Sequence, residues 1–300
     1  MKSHPLYLFA LDPTHIGAGG YRLGRVDNTI LRDAATGLPK IPGSSINGAT
    51  RAAAIYSLPD AERDQAIQYA NHTLRKKGHE KRPHDGANDS VARVFGYAEG
   101  DDEGQSRIGL VSFRDAEILA FPVPTMTGPR WITTPALLEA AGCNNVPTIN
   151  GPTRVVIQSV GNPPARLNLG WILLDANPQT IPFPTFLDKQ PGMAHVRANL
   201  ALVHDSLFPS LVNANLETRT SVSIDFETGA GAEGLLFTYE AAPRGTLYRG
   251  QVDFDDQRFA AQYADAFKRV QQGLTLACQL GLGAMTTRGF GRMQPMLESA

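Results

Sequence analysis

"GRVDNTILRDAATGLPKIPGSSINGATRAAAIYS" runs from Gly24 to Ser57 and sets the reading of the fold. A glycine-rich stretch ends at Gly24, and a single carboxylate, Asp27, follows with Val26 and Ile30 on either side. Asp33 precedes Thr36-Gly37 and reads as a turn residue. After the Pro42-Gly43-Ser44-Ser45 turn, the alanine-rich segment Ile46 to Ser57 predicts a helix. Ser44 or Ser45 is its expected N-cap, and Pro59 stands just beyond its end. Backbone N–H groups at such a start favour an anion. Taken alone, the turn fits better with a capped helix packed on a sheet.

The pattern continues outward on both sides. "LYLFAL" (Leu6–Leu11) is apolar throughout and predicts a buried strand. "RIGLVSFRDAEILAFPV" (Arg107–Val123) predicts two strands or one bent strand, and "TPALLEAAG" a short helix stopped by Gly142. Residues 60–93 are polar and mixed in charge, with a loop expected after an initial helical part. Residues 144–170 mix strand-like pieces with Pro and Gly, which fits a protruding hairpin. "TRTSVSIDF" places Val222, Ile224 and Phe226 on one face and predicts a half-buried strand. Two more strands are expected around Pro243. Asp255 to Leu280 predicts the clearest helix, with Phe259, Tyr263, Phe267, Val270 and Leu274 as its apolar stripe. A second glycine-rich loop, "GLGAMTTRGFGRM", leads into a last strand. The order is that of an α+β chain, strand-helix-strand-strand-helix-strand with insertions.

Composition narrows the class. The 300 residues fit one elaborated domain or two related halves. A net charge of -1 argues against a non-specific nucleic-acid binder but leaves room for a local basic groove. Cys143 and Cys278 are far apart and form no C-x-x-C, which fits a reduced, cytoplasmic protein. The N-terminal apolar run, cut off by Asp12-Pro13, is too short for a signal peptide, and no apolar run approaches the ~20 residues that span a bilayer.

Several chemistries fail on spacing. "GSSINGAT" (Gly43–Thr50) nearly matches a phosphate-binding P-loop, but Ala49 stands where the lysine belongs. The seven histidines show no H-x-x-x-H pair; His72, His79 and His84 read as solvated surface, and His15 as a satisfied structural residue. No serine-histidine-acid spacing is present. Three carboxylates lie near glycine-rich turns, Asp27, Asp33 and Glu240, and Asp27 stands between a valine and an isoleucine in a segment with no capping role. Arg22, Arg25, Arg32, Arg51, Arg288 and Arg292, with two glycine-rich loops, suit an RNA-binding surface as one option among several.

Taken in order, "DPTHIGAGG" (Asp12–Gly20), the quoted stretch as far as Arg51, "VFGYAEGDDEGQSRIGLVSFRDAEILAFPVPTMTGPRWITTP" (Val94–Pro135) and "TTRGFGRM" (Thr286–Met293) resemble the RAMP superfamily of CRISPR-associated proteins. Within it they are most similar to the repeated backbone subunit of the type III-B (Cmr) effector complex. The resemblance implies one domain over 1–300: a modified ferredoxin-like (RRM-like) palm, a lid-like insertion at 60–93 and a protruding thumb hairpin at 144–172. It implies a role in antiviral defence, with guide RNA, target RNA, further copies in a head-to-tail filament and other type III subunits as partners. The implied activity is metal-dependent endoribonuclease cleavage of target RNA at regular intervals, with Mg or Mn as cofactor. The alternative is a non-catalytic guide-RNA-binding scaffold of a related complex. The matching catalytic position is Asp27, with Glu240 as an auxiliary residue. The implied RNA-binding positions are His15, Gly43, Ser44, Ser45, Asn47, Arg51, Arg288 and Arg292. Asn47 replaces a lysine of the family pattern, and Pro124 and Thr127 also depart from it.

Overall fold

The first strand, β1 (Lys2–Ala10), is apolar on both faces, and the fold covers both. The coordinates are a computed structural model that describes residues 1–19, 26–75, 90–96, 108–159, 161, 163–257 and 263–298. After β1 come β2 (Lys40–Ile41), α1 (Gly43–Tyr56), α2 (Asp60–Arg75), α3 (Ser90–Phe95), β3 (Val111–Phe113), β4 (Ala116–Val123), β5 (Arg130–Thr133) and α4 (Pro135–Ala140). The second half holds β6 (Arg154–Gln158), β7 (Arg166–Leu169), β8 (Ile172–Gln179), α5 (Thr185–Asp188), α6 (Met193–Ala198), β9 (Leu200–Leu202) and α7 (Phe208–Ala214). It ends with β10 (Glu217–Ile224), β11 (Gly231–Ala241), β12 (Leu247–Phe254), α8 (Tyr263–Leu280) and β13 (Met293–Leu297).

The result is a mixed α/β chain around one large sheet, ordered β13-β1-β12-β4-β5-β9-β6-β8-β7. β1 pairs antiparallel with β12 on one edge and with β13 on the other. Leu6, Leu8, Ile118 and Val252 pack with Ile46, Ala53 and Ala54 of α1 and with Val270, Leu274 and Ala277 of α8. Tyr7, Leu119 and Leu247 instead pack with Trp131, Leu138, Met193, Val196 and Leu200. Cys143 and Cys278 are buried and unpaired, and burial raises the Cys278 thiol to about 12.

Three expectations need correction. Residues 144–172 do not form a protruding hairpin. Val155, Val156 and Ile157 are buried, and β6 lies inside the sheet, parallel to β8 and antiparallel to β9. The segment's few apolar residues are too few for a core of their own, and these three join one built with distant strands. The element that stands apart is β10–β11, a separate two-stranded sheet. The predicted run is broken, because the register shifts between Val222 and Ile224 and Phe226 lies in the turn beyond β10. Among the described residues no layer covers the apolar side chains: Val222, Ile224 and Leu236 are 49, 59 and 64% exposed, and Phe226 is fully exposed. Helix α1 begins earlier than expected, at Gly43, with Pro42 at the N-cap position and no side-chain cap. Ser44 and Ser45 are exposed. Glycine is required at Gly43, because a Cβ there would lie 2.1 Å from the Phe113 carbonyl oxygen of β3. Of the 60–93 insertion, α2 and the first part of α3 are described; 76–89, Phe259, Arg22, Arg25 and Val160 lie outside the described residues.

Candidate functional site

The two glycine-rich loops interlock beneath the projecting hairpin. After β1 the chain turns at Pro13, whose carbonyl accepts the Gly291 N–H at 2.9 Å. The His15 carbonyl accepts the Ala284 N–H at 3.0 Å. A Cβ on Gly283, which has φ +96°, would lie 2.4 Å from that same His15 oxygen. His15 is buried, and its Nδ1 lies 2.5 Å from the Glu240 carbonyl oxygen. A carbonyl only accepts, so Nδ1 carries the proton. The structural reading of His15 from sequence therefore fits its surroundings.

The segment with Asp27 runs along β11. Asn28 donates its N–H to the Thr238 carbonyl at 3.1 Å, and Glu240 donates its own to the Asn28 carbonyl at 3.0 Å. Thr238 then grips Asp27 directly. Its N–H and its hydroxyl reach Asp27 Oδ2 at 2.7 and 3.0 Å, and its Oγ1 accepts the Asp27 N–H at 3.2 Å. These donors favour the charged form and hold the Asp27 carboxyl below the usual carboxylate range, the Thr238 backbone N–H contributing most. Among the described residues Oδ1 has no hydrogen-bond partner.

Glu240, two residues along β11, is already occupied. Arg32 Nη2 lies 3.0 Å from both its oxygens, and the Ile30 N–H reaches Oε2 at 3.3 Å. Arg32 is equally committed, with Nε on Asn213 of α7 and Nη1 on the Ile30 carbonyl. The hairpin base is pinned by rings. Tyr239 meets Phe290 edge-on at 5.4 Å, Arg219 lies 4.8 Å over Phe290, and Arg288 lies 5.8 Å from the Phe237 ring centre.

A relay of charges connects the start of α1 to this region. Asp33 folds its own turn, accepting from the Ala35 and Thr36 N–H groups, and these donors with Lys40 lower it to about 2. Lys40 lies 3.3 Å from Asp33 and 2.8 Å from Asp115, and Asp115 accepts the Gly43 N–H at 2.8 Å. One of the chain's own carboxylates thus takes the anion position at Gly43, 72 residues away in sequence. Lys40, then the Gly43 N–H, keep Asp115 below its ordinary range. Asn47 and Arg51, one turn apart on α1, have different surroundings. Asn47 Oδ1 is buried without a partner, and Arg51 makes no ion pair among the described residues. Arg292 forks onto Asp12 at 2.6 and 3.0 Å and holds that carboxyl low. Thr238, Arg219 and Asp115 were not singled out from sequence. Thr238 and Glu240 share a strand face at i, i+2, the one local signal for the first of them.

A family model for the RAMP superfamily matches residues 8–294. The chain belongs to the RAMP superfamily. A relative in Pyrococcus furiosus, the CRISPR system Cmr endoribonuclease Cmr4, is 26% identical over 265 residues, spanning 83% of this chain and 80% of that one. Among solved structures, this RAMP chain is similar to one in a type III-B Cmr-beta complex bound to cognate target RNA, with a TM-score of 0.64 at 17% identity. That match covers 99% of this chain and 97% of the other. It is also similar to oligomeric Cmr4 from Pyrococcus furiosus, with a TM-score of 0.61 at 19% identity and full coverage of both chains. No helix among the described residues of this RAMP protein is long and apolar enough to cross a membrane.

Proposed function

We propose that this chain is the repeated backbone subunit of a type III-B (Cmr) effector complex, working in the cytoplasm, where it binds guide RNA and cuts complementary target RNA beside Asp27. The observation that carries this reading is Asp27 itself, an ionised carboxylate held on the base of a projecting apolar hairpin with one oxygen uncommitted. In this reading β13-β1-β12-β4, with α1 and α8 on one face, is a ferredoxin-like palm. β10–β11 takes the place of the thumb, and the α2 region that of the lid. Copies stack head to tail along the guide, with other type III subunits at the ends.

Cleavage needs a 2′-oxygen, its phosphorus and the leaving 5′-oxygen in line. An apolar tip such as Phe226 beside an unstacked base supplies that arrangement, and positioning of this kind accounts for much of the rate. A carboxyl held below its usual range is a weak base near neutral pH, so Asp27 serves best by orienting the 2′-hydroxyl through a hydrogen bond. Guide phosphates would lie along Ser44, Ser45, Asn47, Arg51 and Arg288, with Gly43, His15 and Arg292 shaping the surface from beneath.

The expected divalent ion meets a poor donor set. No three His, Cys, Asp or Glu side chains gather among the described residues. Asp27 offers one oxygen, and both Glu240 oxygens face Arg32. A resident ion does not fit these residues; an ion arriving with the RNA's phosphates is a property of the complex.

The test is Asp27→Asn in a complex assembled with guide RNA. Cleavage of a labelled target falls by roughly 10²–10⁴-fold while target affinity holds, because a carboxylate does not attract phosphate. Cleavage at the wild-type rate refutes the assignment and leaves the scaffold reading.

A further inference from the structure

We infer that Thr238 is the positioning residue for Asp27: its hydroxyl fixes the orientation of the carboxylate and so the direction in which its free oxygen faces the RNA. The inference rests on the reading of Asp27 as the cleaving carboxylate.

The hydroxyl has one proton and two neighbours. The Asp27 N–H, 3.2 Å away, only donates, and the ionised carboxylate oxygen Oδ2, 3.0 Å away, only accepts. Its proton therefore points at Oδ2, and its lone pair faces the Asp27 amide. Together with the Thr238 N–H, this gives Oδ2 two donors. A partial rotation of the carboxylate about its terminal bond loses both, and a half-turn only exchanges two equivalent oxygens, so one oxygen always points away from Thr238. The same contacts join the site to β11, the strand that returns from the exposed hairpin tip.

The main chain at Asn28 is anchored separately. The Asn28–Thr238 and Glu240–Asn28 backbone hydrogen bonds involve no Thr238 side-chain atom. Removing the hydroxyl therefore takes one of the two donors from Oδ2 and the acceptor from the Asp27 N–H, while the Thr238 N–H and these two backbone bonds stay. Among the described residues neighbouring charges do not replace it: Glu240 is joined to Arg32, Arg219 to Glu217, and His15 Nδ1 to a carbonyl. Arg288 lies over Phe237 on the adjoining loop.

The experiment is single-turnover target cleavage by the assembled complex across pH, with target affinity measured alongside. Thr238→Val keeps the shape and loses the hydroxyl. Cleavage slows by roughly tenfold or more with affinity unchanged, as expected for one hydrogen bond to a charged group. The acid limb of the profile moves to higher pH, because Asp27 loses a donor that favours its charged form. Thr238→Ser restores both rate and limb. Should the valine variant fail to assemble, Thr238→Ser against Thr238→Ala isolates the hydroxyl, since both lack the methyl group. A serine variant near wild type with a slow alanine variant supports the inference. Equal rates and unmoved limbs in either pair overturn it. Asp27→Asn in the same series separates the two claims: a cleaving Asp27→Asn complex sinks the functional reading, whereas an inactive one beside a fully active Thr238→Val sinks only the positioning role.

Discussion

Gly283→Ala tests whether the two glycine-rich loops hold each other. The backbone at Gly283 has φ +96°, where an L-residue costs about 1–2 kcal/mol. The new Cβ would sit 2.4 Å from the His15 carbonyl oxygen and 2.7 Å from Ile16 Cδ1. The isoleucine terminus can swing aside, but the carbonyl is backbone and already accepts the Ala284 N–H. Relief requires separating the loops, an overpacking cost of about 1–3 kcal/mol. The sum is about 2–5 kcal/mol, a large part of the roughly 5–15 kcal/mol that holds a typical domain. Gly289→Ala is the internal control: it also has positive φ, +80°, but nothing lies within 4 Å of its Cβ position, so only the backbone term applies. Urea denaturation of the RNA-free protein, followed by circular dichroism, measures both variants. Gly283→Ala falls below Gly289→Ala by at least about 1 kcal/mol. Equal midpoints refute the interlock, and with it the placement of His15 under Glu240.

Arg32→Leu strands Glu240 in a half-buried setting and costs roughly 1–3 kcal/mol, read as a lower denaturation midpoint; no change shows that the pair is inert. Phe226→Ser leaves stability within about 0.5 kcal/mol, since the ring is fully exposed, yet blurs the spacing of cuts mapped on a long target; evenly spaced cuts remove the hairpin from the cutting geometry. Calorimetric titration of RNA-free protein with Mn²⁺ gives no saturable site that Asp27→Ala abolishes; such a site contradicts the donor analysis. Asp33 is lowered to about 2 in the fold, so its stabilisation is present above its ordinary range and is lost as pH falls from about 4 toward 2. Asp33→Asn flattens acid unfolding in that window; an unchanged curve refutes the turn's role.

Much of the central sheet and its helices could be read from the chain. Leu6–Leu8 and the Val270–Leu274 stripe follow local patterns, and burial simply obeyed them. The hairpin could not be found that way. Val222, Ile224 and Phe226 alternate like a strand on a core, and whether anything covers them depends on elements far off in sequence. Val155–Ile157 fail for the converse reason, since their covering strands lie beyond residue 170. Asp27 stood out because no capping role explained it. What it touches did not, because Thr238 is 211 residues away and looks like any strand threonine.

The position of β1 also dictates when the protein can finish folding. Lys2 pairs with Phe254, and Leu6 with Leu297, so both neighbours of the first strand are made long after it. At typical elongation rates of about 5–20 residues per second, Leu6, Tyr7 and Leu8 leave the ribosome roughly 12–60 s before β12 and β13 are available. For that interval an apolar strand has two open edges, the condition that invites pairing with the wrong chain. Closure of the sheet therefore waits until residues 247–297 have been made. A nascent chain stalled before β12 should remain bound to holdase chaperones however well α1 has formed.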